Sequence, residues 1–118
     1  MTTVLIVDDD AELRSIYRQT LERQGYHVLE AEDGVDAIKQ INSNKPDVLI
    51  LDMMMPRMAG TNVLKLLSES EALESIRRVV VTAYPNYRDT ALSFNVDQFL
   101  VKPVRPSDIV NAVKFALD

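Results

Sequence analysis

The chain has 118 residues, of which 47% are hydrophobic and 26% charged, with no cysteine and a formal net charge of −5. One domain of this length buries roughly two-thirds of the surface its unfolded chain exposes, enough for a core without metal or disulfide staples. The missing thiols exclude a disulfide scaffold and thiolate metal sites, and the acidic balance opposes direct contact with nucleic acid or an anionic membrane. Met1-Thr2-Thr3 carries no basic leader, Val4–Val7 is too short for a signal core, and no stretch reaches the roughly 18 apolar residues of a membrane span. The expectation is one cytoplasmic domain over 1–118 without an effector domain in this chain.

Val4-Leu5-Ile6-Val7 is an unbroken apolar run and predicts a strand. Residues 11–24 carry Leu13, Ile16, Tyr17 and Leu21 at helical spacing, and Gly25 stands where a helix ends. Tyr26–Ala31 predicts a second, more polar strand nearer an edge. Asp33 is placed to cap a helix bearing Val35, Ile38 and Ile41, which Asn44 to Pro46 break. Val48–Leu51 is the third strand, ended by Asp52. A loop with Pro56 and Gly60 follows, then a helix through Val63, Leu64 and Leu67. Val79–Val81 forms the fourth strand, closed by Thr82, and 86–94 is a weak helix candidate. Phe99–Val101 is the fifth strand, and Pro106 opens a last helix with Ile109, Val113, Ala116 and Leu117 on its apolar stripe.

Apolar strands alternating with amphipathic helices predict an α/β fold, a doubly wound five-stranded parallel sheet with five helices. In such sheets ligands bind beyond the carboxyl ends of the strands. Those ends carry Asp8, Asp9 and Asp10 after strand 1, Asp52 after strand 3, Thr82 after strand 4 and Lys102 after strand 5. Crowded carboxylates raise one another's pKa unless a cation compensates, and a hard divalent ion such as Mg²⁺ takes oxygen ligands of this kind. A carboxylate is also a nucleophile that can accept a phosphoryl group, with ammonium and hydroxyl stabilising the transferring oxygens. Each residue alone has a plainer reading. Asp10 suits a helix N-cap, Asp52 a turn, and Lys102 and Thr82 a solvated strand end. Only their joint placement points to phosphoryl chemistry.

Val4-Leu5-Ile6-Val7-Asp8-Asp9, Leu51-Asp52-Met53-Met54-Met55-Pro56, Val81-Thr82-Ala83 and Lys102-Pro103 stand in the order and spacing of the markers of bacterial response-regulator receiver domains. The chain resembles that family over essentially its whole length. The resemblance implies a flavodoxin-like sheet of order 2-1-3-4-5, and Asp52 as phosphoacceptor loaded from a sensor histidine kinase or phosphotransfer protein. It implies Mg²⁺ on Asp9, Asp52 and the Met54 backbone carbonyl, with Asp8 holding the ion largely through water. It implies Thr82 and Lys102 on the phosphoryl group, Thr82 and Phe99 as switch residues, and a cis bond before Pro103. The output would pass through the face of the fourth helix, fifth strand and last helix to an unidentified partner or effector, with room for a phosphorylation-dependent dimer.

Several positions depart from the family pattern. Asn95-Val96 replaces a frequent Gly-Ala, and Asn tolerates a left-handed backbone. Ala59 replaces a frequent Asp, and Phe99 lacks the hydroxyl of the common Tyr. Met53, Met54, Met55 and Met58 crowd the loop after Asp52, either as packing beneath it or as a pliable apolar surface. Met54 and Tyr84, two residues past Asp52 and Thr82, are bulky and predict a long-lived aspartyl phosphate. His27, the one histidine, reads as structural on strand 2. An aspartate-nucleophile phosphohydrolase needs an acid where Met54 stands. A flavin or nucleotide module needs a glycine- or hydroxyl-rich phosphate loop after strand 1, and the chain has three glycines in all. A platform that works without phosphorylation would not need the full acidic set.

Overall fold

The computed structural model of the chain describes residues 1–54 and 59–118. Five strands, β1 (Thr3–Val7), β2 (His27–Ala31), β3 (Val48–Leu51), β4 (Arg77–Thr82) and β5 (Gln98–Val101), pair in parallel in the order β2-β1-β3-β4-β5. Five helices cover the sheet: α1 (Ala11–Arg23), α2 (Gly34–Asn44), α3 (Gly60–Glu69), α4 (Arg88–Leu92) and α5 (Pro106–Leu117). Both faces are covered, so β1 and β3 have no polar side. Val4, Ile6, Val48 and Ile50 pack with Tyr17 and Leu21 of α1 and Ile109 and Val113 of α5. Leu5, Val7, Leu49 and Leu51 pack the other way, with Ile41 of α2 and Val63, Leu64 and Leu67 of α3.

Local chemistry sets the helix ends. Asp10 Oδ1 accepts the N–H groups of Glu12 and Leu13 at the start of α1, so the capping reading of Asp10 is the observed one. Asp33 Oδ1 accepts the Asp36 N–H in the same way for α2. Gly25 after α1 and Asn95 after α4 take positive φ, 91° and 59°. Pro106 opens α5, and its missing N–H costs nothing there.

The structure differs from the sequence pattern in a few places. Residues 86–94 form less helix than their pattern predicts. A 3-10 turn over Pro85–Tyr87 leads into a short α4 of 5 residues, whose start no side chain caps. A second 3-10 turn, Glu71–Leu73, precedes β4. Ile16 and Val35 share the helical apolar spacing yet lie exposed, at the margins of α1 and α2 beyond the reach of the sheet. His27 is exposed on β2, which is the edge strand that its more polar sequence predicts.

Arg78, near the start of β4, is only 3% exposed. Its guanidinium donates to the carbonyls of Phe94, 2.8 Å, and Glu74, 3.3 Å, and its Nε has no hydrogen-bond partner among the described residues. Burial lowers its pKa against the pull of Asp97 and Glu74.

Gly60 fixes the return of the chain from the site. Its N–H donates to Met53 O at 3.0 Å, and a Cβ there would stand 2.6 Å from the Asp52 carbonyl oxygen and 2.8 Å from Met53 Cα. Both neighbours are backbone, so they cannot swing aside. Gly60→Ala should destabilise the fold by about 1–3 kcal/mol. Urea unfolding should show a lower midpoint with an unchanged slope.

Candidate functional site

The sheet register brings the polar residues to one edge. Val7 pairs with Leu51, Leu51 with Val80, and Thr82 with Val101. Asp8, Asp52 and Lys102 each follow directly. Each also extends the ladder by one bond: Asp52 N–H to Val7 O, 3.0 Å; Asp8 N–H to Ala31 O, 3.2 Å; Lys102 N–H to Thr82 O, 2.8 Å. Their backbones are therefore as fixed as the strands themselves.

Lys102 Nζ donates to Asp8 Oδ2 at 2.9 Å and to Asp52 Oδ2 at 3.1 Å. Asp8 Oδ1 accepts the Asp10 N–H, and Asp52 Oδ1 accepts the Met54 N–H. Asp8 and Thr82 are buried, Asp52 is 7% exposed, and Asp9 faces solvent. Thr82 Oγ1 accepts the Tyr84 N–H at 3.3 Å. The Lys102–Pro103 peptide bond is cis. Phe99 is half-buried, with the Arg88 guanidinium carbon 5.9 Å from its ring centroid. Phe99 pairs with Val80, two residues before Thr82, so Phe99 and Thr82 project from the same face of the sheet.

Burial raises the Asp8 pKa, with the Asp10 N–H and Lys102 pulling it down and the Asp52 charge pushing it up. Burial also opposes the charge on Lys102, but its bonds to Asp8 and Asp52 and their charges outweigh that and hold its proton above the ordinary lysine value. Asp8, Asp9 and Asp52 each offer a carboxylate oxygen within 4.8 Å of the others. Such a set of hard oxygens suits a divalent cation with few protein ligands.

Some residues at the site escape sequence reasoning. Arg14, on the first turn of α1, donates from Nη1 to Asp8 O at 2.6 Å and from Nε to Glu30 Oε1 at 3.0 Å, and Arg18 also bonds Glu30. Burial of Glu30 works against its charge, and the two arginines outweigh it, holding its pKa down. Tyr87 donates its hydroxyl to Met54 Sδ at 3.0 Å. A lone arginine or tyrosine on a helix carries no signal of this kind, because the contact depends on a strand or loop far away in sequence. Of the four methionines in the loop after Asp52, Met53 packs in the core and Met54 is 45% exposed. Met55, Pro56 and Met58 lie outside the described residues.

A doubly wound sheet with a metal-competent acid cluster, a hydroxyl and a lysine at its carboxyl edge defines a phosphoryl-handling switch domain. Residues 4–114 match the family model described as "Response regulator receiver domain". The chain is 33% identical over 116 residues, 97% of its length, to the alkaline phosphatase synthesis transcriptional regulatory protein PhoP of Bacillus subtilis (strain 168). It spans about half the length of that relative, 48%. Among solved structures it superposes on the chemotaxis response regulator CheY4 of Vibrio cholerae with a TM-score of 0.91, 27% identity and 98% of both chains covered. It also superposes on the response regulator TrrA of Thermotoga maritima in complex with Mg²⁺-BeF, with a TM-score of 0.87 and 29% identity over 98% of this chain and 99% of that one. The chain belongs to the response-regulator receiver domain family, whose members are phosphorylation-activated switches of two-component systems. No helix of the described residues is long and apolar enough to cross a membrane.

The Lys102 pKa lies above its unfolded value of 10.5. The stability it contributes is therefore complete below that pH and is lost as the pH rises through the folded value. Tyr17, whose pKa burial raises, acts with the same sign. Lys102→Met should lower stability near neutral pH by about 1.5–3 kcal/mol, the range for hydrogen bonds to charged groups. Denaturant midpoints should then fall less steeply above about pH 10 in the variant than in the parent.

Proposed function

We propose that Asp52 accepts a phosphoryl group from a phosphohistidine of a sensor histidine kinase or phosphotransfer protein. The observation that carries this is the Asp52 carboxylate itself. It is nearly buried at a strand end, with Oδ2 on the Lys102 ammonium and Oδ1 on the Met54 N–H, beside Asp8 and Asp9. In the transfer, a carboxylate oxygen of Asp52 forms a bond to phosphorus as the imidazole N–P bond breaks. The imidazole nitrogen keeps the electron pair and takes a proton from solvent.

Lys102 holds a positive charge where the phosphoryl oxygens arrive, and Thr82 offers them a hydroxyl hydrogen bond. Asp8, Asp9, Asp52 and the Met54 backbone carbonyl would hold Mg²⁺, which supplies further charge neutralisation to the transferring group. The donor set is all oxygen and mostly anionic, which supports that assignment. Thr82 accepts the Tyr84 N–H in this structure, so a Thr82 drawn to the phosphoryl group releases the segment after β4. Phe99, on the same face, then turns into the vacated space, and the surface of α4, β5 and α5 passes the change to a partner, an effector domain or a second copy. The cytoplasm is the compartment where such a kinase would meet it.

Acetyl phosphate with Mg²⁺ tests the assignment. Intact-mass spectrometry should find one phosphoryl adduct on the parent protein and none on Asp52→Asn. An adduct that survives the substitution would place the phosphoacceptor elsewhere.

Met54 and Tyr84, 45% and 46% exposed, follow Asp52 and Thr82 by two residues, and we read their bulk as an obstacle to a hydrolytic water. The loaded protein should accordingly keep its phosphoryl group longer than the Met54→Asn, Tyr84→Ala variant. The comparison is the decay of the adduct after the donor is removed.

A further inference from the structure

Arg78 carries a buried charge that the described residues satisfy only in part. It lies four residues before Thr82 on β4, about 13 Å along the strand from the phosphoryl edge. A guanidinium has five N–H donors. Here Nη1 donates to the Phe94 carbonyl and Nη2 to the Glu74 carbonyl, while Nε has no partner among the described residues. Arg78 also forms no ion pair with a described carboxylate. Asp97 and Glu74 act on its charge through space, and Asp97 Oδ2 already accepts the Arg78 backbone N–H at 2.8 Å. Buried charges are ordinarily paired and fully hydrogen-bonded, so this guanidinium has binding capacity left over.

A cavity of about 160 Å³ adjoins it, lined by Arg78 together with, among others, Glu74, Ile76, Arg77, Asn95 and Asp97. Glu74, Arg77 and Asn95 are exposed, whereas Arg78 and Ile76 are buried. At about 30 Å³ per water the cavity has room for roughly five waters, too little for a nucleotide but enough for a small ion with a short tail. We propose that this cavity is a second ligand site, separate from the Asp52 cluster, that takes a small aliphatic monocarboxylate on the donors Arg78 leaves unused. Two acceptor oxygens in one plane match the planar guanidinium fork. Glu74 and Asp97 in the lining work against a second negative charge, which ranks phosphate and dicarboxylates below a monocarboxylate. The buried Ile76 offers an alkyl tail an apolar wall. Because the ligand binds the folded chain, it stabilises that state by mass action. The proposal does not depend on the reading of Asp52.

The test is an NMR titration of the whole chain with sodium acetate at constant ionic strength, sodium chloride making up the balance. The Arg78 Nε–H signal and the Asn95 and Asp97 amides should shift saturably, and the melting temperature should be higher in acetate than in equal chloride. Acetamide, of similar shape without the charge, should give no saturable shift. Arg78→Met exchanges the buried charge for an apolar chain of similar length, a change that folds tolerate well, and should weaken acetate binding at least tenfold. Arg77→Gln removes an exposed charge and should weaken it no more than about fivefold. An Arg78 Nε–H signal that acetate moves no more than chloride does overturns the site, and shows a cavity filled by water alone. Asn95 and Asp97 amides that respond equally in Arg78→Met overturn it too, as does a loss in Arg77→Gln as complete as in Arg78→Met, which would put the anion on the surface. Should Arg78→Met not fold, the Arg78 Nε–H signal of the wild type, with acetate set against chloride and acetamide, decides by itself.

Discussion

The crowding of carboxylates at the carboxyl edge of the sheet is the constraint that organises the rest. Asp8 and Asp52 follow neighbouring strands, and each is largely shielded from water. Two such charges at close range would oppose folding without a counter-charge. Lys102 provides it from β5, reaching past β4 to bond both acids at once. The same ammonium thus stabilises the site by satisfying both acids at once, and it is the group that the proposed reading sets against incoming phosphoryl oxygens.

That arrangement works because height along the sheet is fixed by apolar packing. Each acid lies one residue beyond a buried run, and its N–H still belongs to the strand ladder. A one-residue slip in β1 or β3 would turn every core side chain to the opposite face. Gly60 adds a second control: its lack of a side chain lets α3 begin against the Asp52 and Met53 backbone. Core and site are therefore specified together. Arg14 extends this outward, tying the Asp8 carbonyl to Glu30 on the edge strand β2.

Much of this is legible in sequence because doubly wound folds leave strong local marks. Runs such as Val48–Leu51 declare buried strands, and the polar residue after each run declares the site edge. Asp10, Asp33, Asn95 and Pro106 could be read because capping and left-handed backbone are local chemistry. What could not be read depends on contacts distant in sequence. Ile16 has core spacing but faces outward, since helical periodicity marks a stripe without fixing how wide the sheet beneath it is. The segment ahead of the short α4 is bonded to Thr82 and Met54, contacts that the local pattern of residues 86–94 does not announce. The positions of Arg14 and Tyr87 follow only once the strands have been paired.

Arg78 has a mechanical consequence. Its permanent charge is buried, and the Phe94 carbonyl just beyond α4 is one of its two acceptors. Pulling that end of α4 away would leave a guanidinium in the interior with one acceptor fewer, a costly state for a group that cannot shed its proton. The opposite end of α4 is held more lightly, by the Tyr87 hydroxyl on a thioether and by Arg88 over the Phe99 ring. The Phe94 end of α4 is therefore the costlier one to displace, because moving it would strip an acceptor from a buried guanidinium.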